Sequence, residues 1–166
     1  MFHKSKLIGP NALAFPGGPI VLTDSLVKLL QKDDLILGVI AHEFAHVQER
    51  HSLHQILELI GISVIASALL GSDETLIEEA SFVGINLWTS KKSREFEKQA
   101  DLKAIEYLQK SEINQSSLLL ALKKLISYFC PSTFSEIENK CFKKSESNLM
   151  STHPSFADRK LYLSNY

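Results

Sequence analysis

Cysteine is nearly absent: 166 residues hold only Cys130 and Cys141, so no disulfide framework can staple this chain, and no spaced Cys pairs form a structural zinc site. Both are read as core thiols. An excess of one charge is missing too. With 18 Lys+Arg against 19 Asp+Glu the formal net charge is -1, which leaves no whole-chain attraction for nucleic acid or an anionic membrane. No apolar run reaches the ~20 residues needed to cross a bilayer. The longest, from Leu59 to Gly71, is expected to be a buried helix. Glycine and proline are sparse, at 7 and 5 residues, and there is no internal repeat, which excludes collagen-like and low-complexity chains. The opening residues, Met1 to Lys6, carry charge with no apolar stretch behind them and do not read as a signal peptide. What is present is 45% hydrophobic residues in a chain able to bury roughly 70% of its unfolded surface, so residues 1–166 are expected to form a single domain around one core.

Residues 7–22 carry the strand signal. Leu7-Ile8 and Ala12 to Phe15 run into Pro16-Gly17-Gly18-Pro19 and then Ile20-Val21-Leu22, two apolar runs around a hairpin turn. The remainder reads as helix. Thr23 or Asp24 can cap a helix through Leu30, and Asp33 or Asp34 can cap the next, whose Leu35, Val39 and Ile40 keep a helical period. Apart from Gly38 nothing interrupts that second helix before Gly61. Further helices are expected near 75–88, 93–110, 115–129 with Asn114 as cap, and 155–164 with Ser155 as cap. Residues 131–153, rich in Ser, Lys and Glu, are the one loose region. The expected class is α+β and predominantly α.

In the second helix stands Ala41-His42-Glu43-Phe44-Ala45-His46-Val47, a His-Glu-x-x-His pattern. At 100° per residue His42 and His46 lie one turn apart on one face, so both imidazoles can reach a single ion. Glu43 projects beside them, where a base must be to take a proton from a water on the same metal. Three polar side chains in an apolar helix would otherwise cost about 1–3 kcal/mol for each unpaired group, and a metal compensates that burial. His51 lies five residues beyond His46, an advance of 500°, and is expected on the far side of the helix, away from the ion. A catalytic zinc usually takes three protein ligands. The segment Ser93-Arg94-Glu95-Phe96-Glu97-Lys98-Gln99-Ala100-Asp101 offers carboxylates on a later helix, with Glu97 and Asp101 one turn apart. Spacing alone does not choose between Glu95 and Glu97, and such a run is also what a solvated helix face looks like.

Four segments occur in one order: Gly9 to Gly18 with Asn11-Ala12-Leu13-Ala14, Ala41 to Val47 with Arg50-His51-Ser52, Ser93 to Asp101, and Ser151-Thr152-His153-Pro154-Ser155. Together they span nearly the whole chain and resemble the zinc metallopeptidase family that includes the CAAX prenyl proteases and the bacterial HtpX and BepA envelope proteases. The resemblance implies a zincin-like (gluzincin) metalloprotease domain with a small hairpin sheet bordering its cleft and one Zn2+ per chain. It makes Glu97 the third ligand beside His42 and His46, Asp101 the carboxylate that orients a ligand histidine, and Glu43 the catalytic base. It also brings His153 and Arg159 to the cleft. It implies a zinc-dependent endopeptidase acting on a polypeptide bound as an extended strand along Asn11, Ala12, Leu13 and Ala14, in a protein quality-control role. A zinc-binding, chaperone-like or latent module without turnover is the alternative. No nucleic-acid partner is expected. The family's fuller members are membrane-attached, so the chain reads as a catalytic fragment of such a protein, membrane-associated or in a cell envelope.

Overall fold

A computed structural model describes residues 9–70, 94–129 and 156–166. The hairpin is shorter than the sequence suggests. Strands β1 (Ala12–Ala14) and β2 (Ile20–Leu22) pair antiparallel with Leu13 opposite Val21, while Leu7 and Ile8 lie outside the described residues. The turn between them is closed by the Phe15 amide donating to the Pro19 carbonyl at 2.9 Å and the Gly18 amide to the Phe15 carbonyl at 3.1 Å. Gly17 and Gly18 supply φ angles of 93° and 112° there, which side-chain-bearing residues rarely adopt.

Helices α1 (Asp24–Leu30), α2 (Asp33–Gln48), α3 (His51–Leu70), α4 over residues 94–110, α5 (Ser117–Phe129) and α6 (Phe156–Leu163) follow. This is the predominantly helical α+β architecture expected. Thr23 is the cap of α1: its Oγ1 accepts from the Leu26 amide at 3.2 Å and from the Asn11 amide at 2.8 Å, fastening the first strand to the first helix. Gln31, in the left-handed region at φ 62°, ends α1, and Lys124 of α5 donates to the Leu30 carbonyl at 2.9 Å. Lys32, without a side-chain bond, occupies the N-cap of α2, so Asp33 and Asp34 fall inside its first turn, where their charge complements the helix dipole. Helix α5 starts two residues later than expected: Asn114 stands in the turn before it, its Oδ1 accepting from the Ser116 amide at 3.0 Å. The expected helix at 75–88, the loose region 131–153, both cysteines and the Ser155 cap lie outside the described residues.

One expectation fails. The unbroken helix from residue 33 to 61 is instead two helices, because Arg50 takes φ 54° and turns the chain between Gln48 and His51. A left-handed residue at a helix end redirects the chain even where neither Gly nor Pro announces it. Beyond this corner α3 does continue through the apolar run, but Ile60, Val64 and Ile65 are exposed instead of buried. No described helix is long and apolar enough to cross a membrane.

The core is built on α2, which lies between β1 and α5 and packs against both. Leu35 and Val39 meet Leu118, Leu122, Leu125 and Ile126, with Ala104, Ile105 and Leu108 of α4 and Leu163 of α6 completing the cluster. Gly38 allows the close approach of α5: a Cβ there would stand 2.9 Å from the Leu118 amide nitrogen. Backbone on that side cannot yield as a side-chain tip would. Gly38→Ala is therefore expected to lower the urea midpoint by an amount equivalent to about 1–3 kcal/mol, despite alanine's better helix propensity. A stabilised variant would show that α5 yields to a methyl group at this position.

Candidate metal centre

Helix α2 presents His42 and His46 on one face, their rings 4.7 Å apart between centroids and crossed at 74°. The side chain of Glu97 enters from α4. His42 Nε2 and His46 Nε2 are separated by 3.1 Å, His46 Nε2 and Glu97 Oε1 by 3.2 Å, and His42 Nε2 and Glu97 Oε2 by 3.4 Å. A tetrahedral ion with bonds of about 2.0–2.1 Å has ligand–ligand edges of roughly 3.3 Å, so the three donors already stand at coordination spacing. Two imidazoles and one carboxylate suit a divalent transition ion better than calcium or magnesium, which prefer all-oxygen shells. The donor set fits zinc. Glu43, one residue after His42, is 1% exposed.

Behind the donors lies a second layer of charge. Asp101 Oδ1 sits 2.8 Å from His42 Nδ1. It also accepts from Arg159 Nη2 at 2.6 Å, while its Oδ2 accepts from Arg159 Nε at 2.8 Å and from the Tyr162 hydroxyl at 2.6 Å. Arg159 Nη1 reaches Glu97 Oε2 at 3.0 Å. One guanidinium thus grips both carboxylates through the forked geometry that only Arg offers. Expected at the cleft, Arg159 is instead 3% exposed and lies beneath the donors, because the salt bridges to Asp101 and Glu97 pull it inward. Tyr162 carries no recognisable motif in the sequence. Its position, three residues beyond Arg159 on the same helix face, is the one signal that could have marked it.

His51 is outside the donor set, as expected, but it does not stand away from His46. The corner at Arg50 swings it back so that its Nδ1 is 2.9 Å from His46 Nδ1, while its Nε2 is 3.2 Å from Gln99 Oε1. Its ring stacks on Phe96 at 4.3 Å. His153 lies outside the described residues.

The hairpin forms one wall of a cleft of about 370 Å³ beside the donors, which Ala14, Phe15, His46, Arg50 and Leu53 help to line. Asn11 faces away from it: its carbonyl accepts from the Thr23 amide at 3.0 Å, and its Oδ1 accepts from the Ala12 amide at 2.9 Å. Antiparallel pairing alternates, so Asn11, Leu13 and Phe15 direct their main-chain groups to β2, and Ala12 and Ala14 direct theirs to the opposite edge. Ala12 is fully buried and its amide is held by Asn11 Oδ1, which leaves Ala14 as the strand residue with outward main-chain groups beside the cleft.

The electrostatics follow from this packing. Burial and the Arg159 cation push the His42 pKa down, but hydrogen bonds to Asp101 and Glu97 more than reverse this and lift it to about 9. Burial alone would raise Asp101, yet the Arg159 charge and the His42 hydrogen bond hold it well below the usual carboxylate range. His51 is lowered to about 4, by burial first and His46 second. A raised folded-state pKa stabilises fully below the unfolded value of 6.5 and loses that contribution as pH rises through about 9; a lowered one stabilises above 6.5 and loses it as pH falls toward about 4. His42 and His51 therefore pull in opposite directions on either side of pH 6.5. The metal-free protein should be most stable near that pH, with a loss on the order of 3 kcal/mol toward pH 9 from His42. Urea midpoints at pH 5, 6.5 and 9 measure it, and a midpoint that climbs steadily to pH 9 would contradict the arrangement. Zinc should flatten the alkaline limb, because it displaces the His42 proton.

A family model described as peptidase family M48 matches residues 3–165. The Beta-barrel assembly-enhancing protease of Escherichia coli (strain K12) is 28% identical over 126 residues, which cover 70% of this chain and 26% of that protein. The Protease HtpX homolog of Pyrococcus abyssi is 27% identical over 135 residues, covering 79% of this chain and 43% of that protein. The Mitochondrial metalloendopeptidase OMA1 of Saccharomyces cerevisiae is 44% identical over 43 residues, covering 26% and 12%. The chain spans less than half the length of each of these relatives.

Proposed function

The chain belongs to peptidase family M48, and from that premise we propose that it is a zinc-dependent endopeptidase that hydrolyses peptide bonds in extended or unfolded polypeptide segments. The observation that carries the reading is the donor triangle of His42, His46 and Glu97, with edges of 3.1–3.4 Å, one residue away from a buried carboxylate.

When bound, the ion supplies Lewis acidity to the scissile carbonyl and lowers the pKa of a neighbouring water toward about 7. Glu43 takes the proton from that water as it attacks the carbonyl carbon, and returns it to the leaving amine as the C–N bond breaks, so one water is consumed per peptide bond. His42, His46 and Glu97 hold the ion. Asp101 fixes the His42 tautomer by accepting from Nδ1–H, which leaves Nε2 bare for coordination. Arg159 acts on the carboxylates of Asp101 and Glu97 and positions them. His153 belongs to this reading as a cleft residue that steadies the developing oxyanion.

The substrate lies along the outward edge of β1, pairing with the main chain of Ala14, with its side chains over the 370 Å³ cleft. Main-chain pairing makes little demand on sequence, and this supports a role in protein quality control. The test is zinc content measured beside casein hydrolysis, with and without a chelator. One zinc per chain and chelator-sensitive hydrolysis are expected. Stoichiometric zinc without turnover would instead establish a zinc-binding module, and no zinc would overturn the metal centre.

A further inference from the structure

A chain of hydrogen bonds runs from the surface to the outer nitrogen of His46, and its direction can be read from its first member. Glu49, in the corner after α2, can only accept. The Gln99 amide meets Glu49 Oε2 at 2.8 Å and must do so with its NH2 group, since turning the amide over would set its oxygen against a carboxylate. Gln99 Oε1 therefore faces His51 Nε2 at 3.2 Å and makes that nitrogen the donor. A neutral imidazole that donates from Nε2 accepts at Nδ1. At 2.9 Å from it stands His46 Nδ1, which must carry the hydrogen. His46 Nε2 is then a bare lone pair directed at His42 Nε2 and Glu97.

We infer that His51, oriented by Gln99 and Glu49, is a positioning residue that holds His46 in the Nδ1–H tautomer required for coordination through Nε2. The inference rests on the reading of His42, His46 and Glu97 as metal ligands. It assigns the two histidine ligands different supports: a buried carboxylate, Asp101, for His42, and a neutral amide–imidazole relay for His46. The left-handed turn at Arg50 is what makes the second support possible, because a continued helix would carry residue 51 away from His46. Aromatic stacking on Phe96 then fixes the plane of the relaying ring.

The experiment uses the full chain. In the metal-free protein, long-range 1H–15N spectra of the histidine rings should show His46 with its hydrogen on Nδ1. Zinc affinity is then measured by chelator competition on paired variants. His51→Leu should weaken zinc binding about 10–100-fold, while His51→Asn, whose side-chain oxygen can accept where Nδ1 did, should stay within about threefold of the parent. Gln99→Lys supplies a donor that reverses the relay and should weaken binding like His51→Leu. A His46 ring with its hydrogen on Nε2 overturns the inference, and so does equal loss in His51→Leu and His51→Asn, which would mark His51 as packing only. Should the parent take up no stoichiometric zinc, the metal reading fails by itself, and the His46 tautomer still decides the relay.

Discussion

A Glu43→Gln variant should bind one zinc per chain and lose casein hydrolysis by a factor of about 10²–10⁴. The substitution keeps the volume and one acceptor of a side chain that is 1% exposed, so the fold has little reason to respond. What it removes is the ability to hold a transferred proton. Elemental analysis, turnover and the urea midpoint on one preparation separate the outcomes: hydrolysis near the parent rate would remove Glu43 as the base, and loss of zinc would make it part of the binding shell. The same measurements distinguish the carboxylates of α4. Glu97→Ala should empty the site of metal, while Glu95→Ala, at an exposed position, should leave zinc content unchanged.

Arg159→Met carries the largest expected cost to stability. Removing the cation leaves Asp101 and Glu97 as two buried carboxylates without the charge that offsets their desolvation, and breaking a buried pair in this way costs about 3–5 kcal/mol. Against a total stability of about 5–15 kcal/mol, that is a large share. Arg159→Lys should rescue little, because a point charge cannot reach Asp101 Oδ1, Asp101 Oδ2 and Glu97 Oε2 together. Urea unfolding of the metal-free and zinc-loaded forms gives the measurement. Zinc should recover part of the loss by neutralising Glu97, and a midpoint unchanged in both forms would mean that the guanidinium contributes nothing there.

The centre was legible wherever local periodicity decides geometry. His42 and His46 meet because residues four apart on a helix share a face, and Asn114 shapes the turn into α5 because Asn can accept an amide two residues on. Glu97 needed more than spacing, since pairing α2 with α4 is a tertiary event and residues 93–101 do not say by themselves which face of α4 meets α2. The resemblance separated Glu97 from Glu95. His51 was misplaced for a different reason: the corner at Arg50 depends on one residue's left-handed backbone, for which Arg gives no signal. Asn11, taken for a substrate-facing residue, turned out to bond to Thr23, a choice set by which edge of β1 the second strand occupies. The burial expected of the apolar run in α3 came from composition alone, and composition does not say what a helix face packs against.

Arg159 stands 58 positions beyond Asp101 in the chain, and this separation has a consequence for biosynthesis. At about 5–20 residues per second, translation needs roughly 3–12 s to deliver the guanidinium after the aspartate has emerged. Throughout that interval a nascent chain possesses all three donors and lacks the cation that braces Glu97 among them and Asp101 beneath them. Assembly of the finished centre is thereby deferred until α6 has been made and has docked.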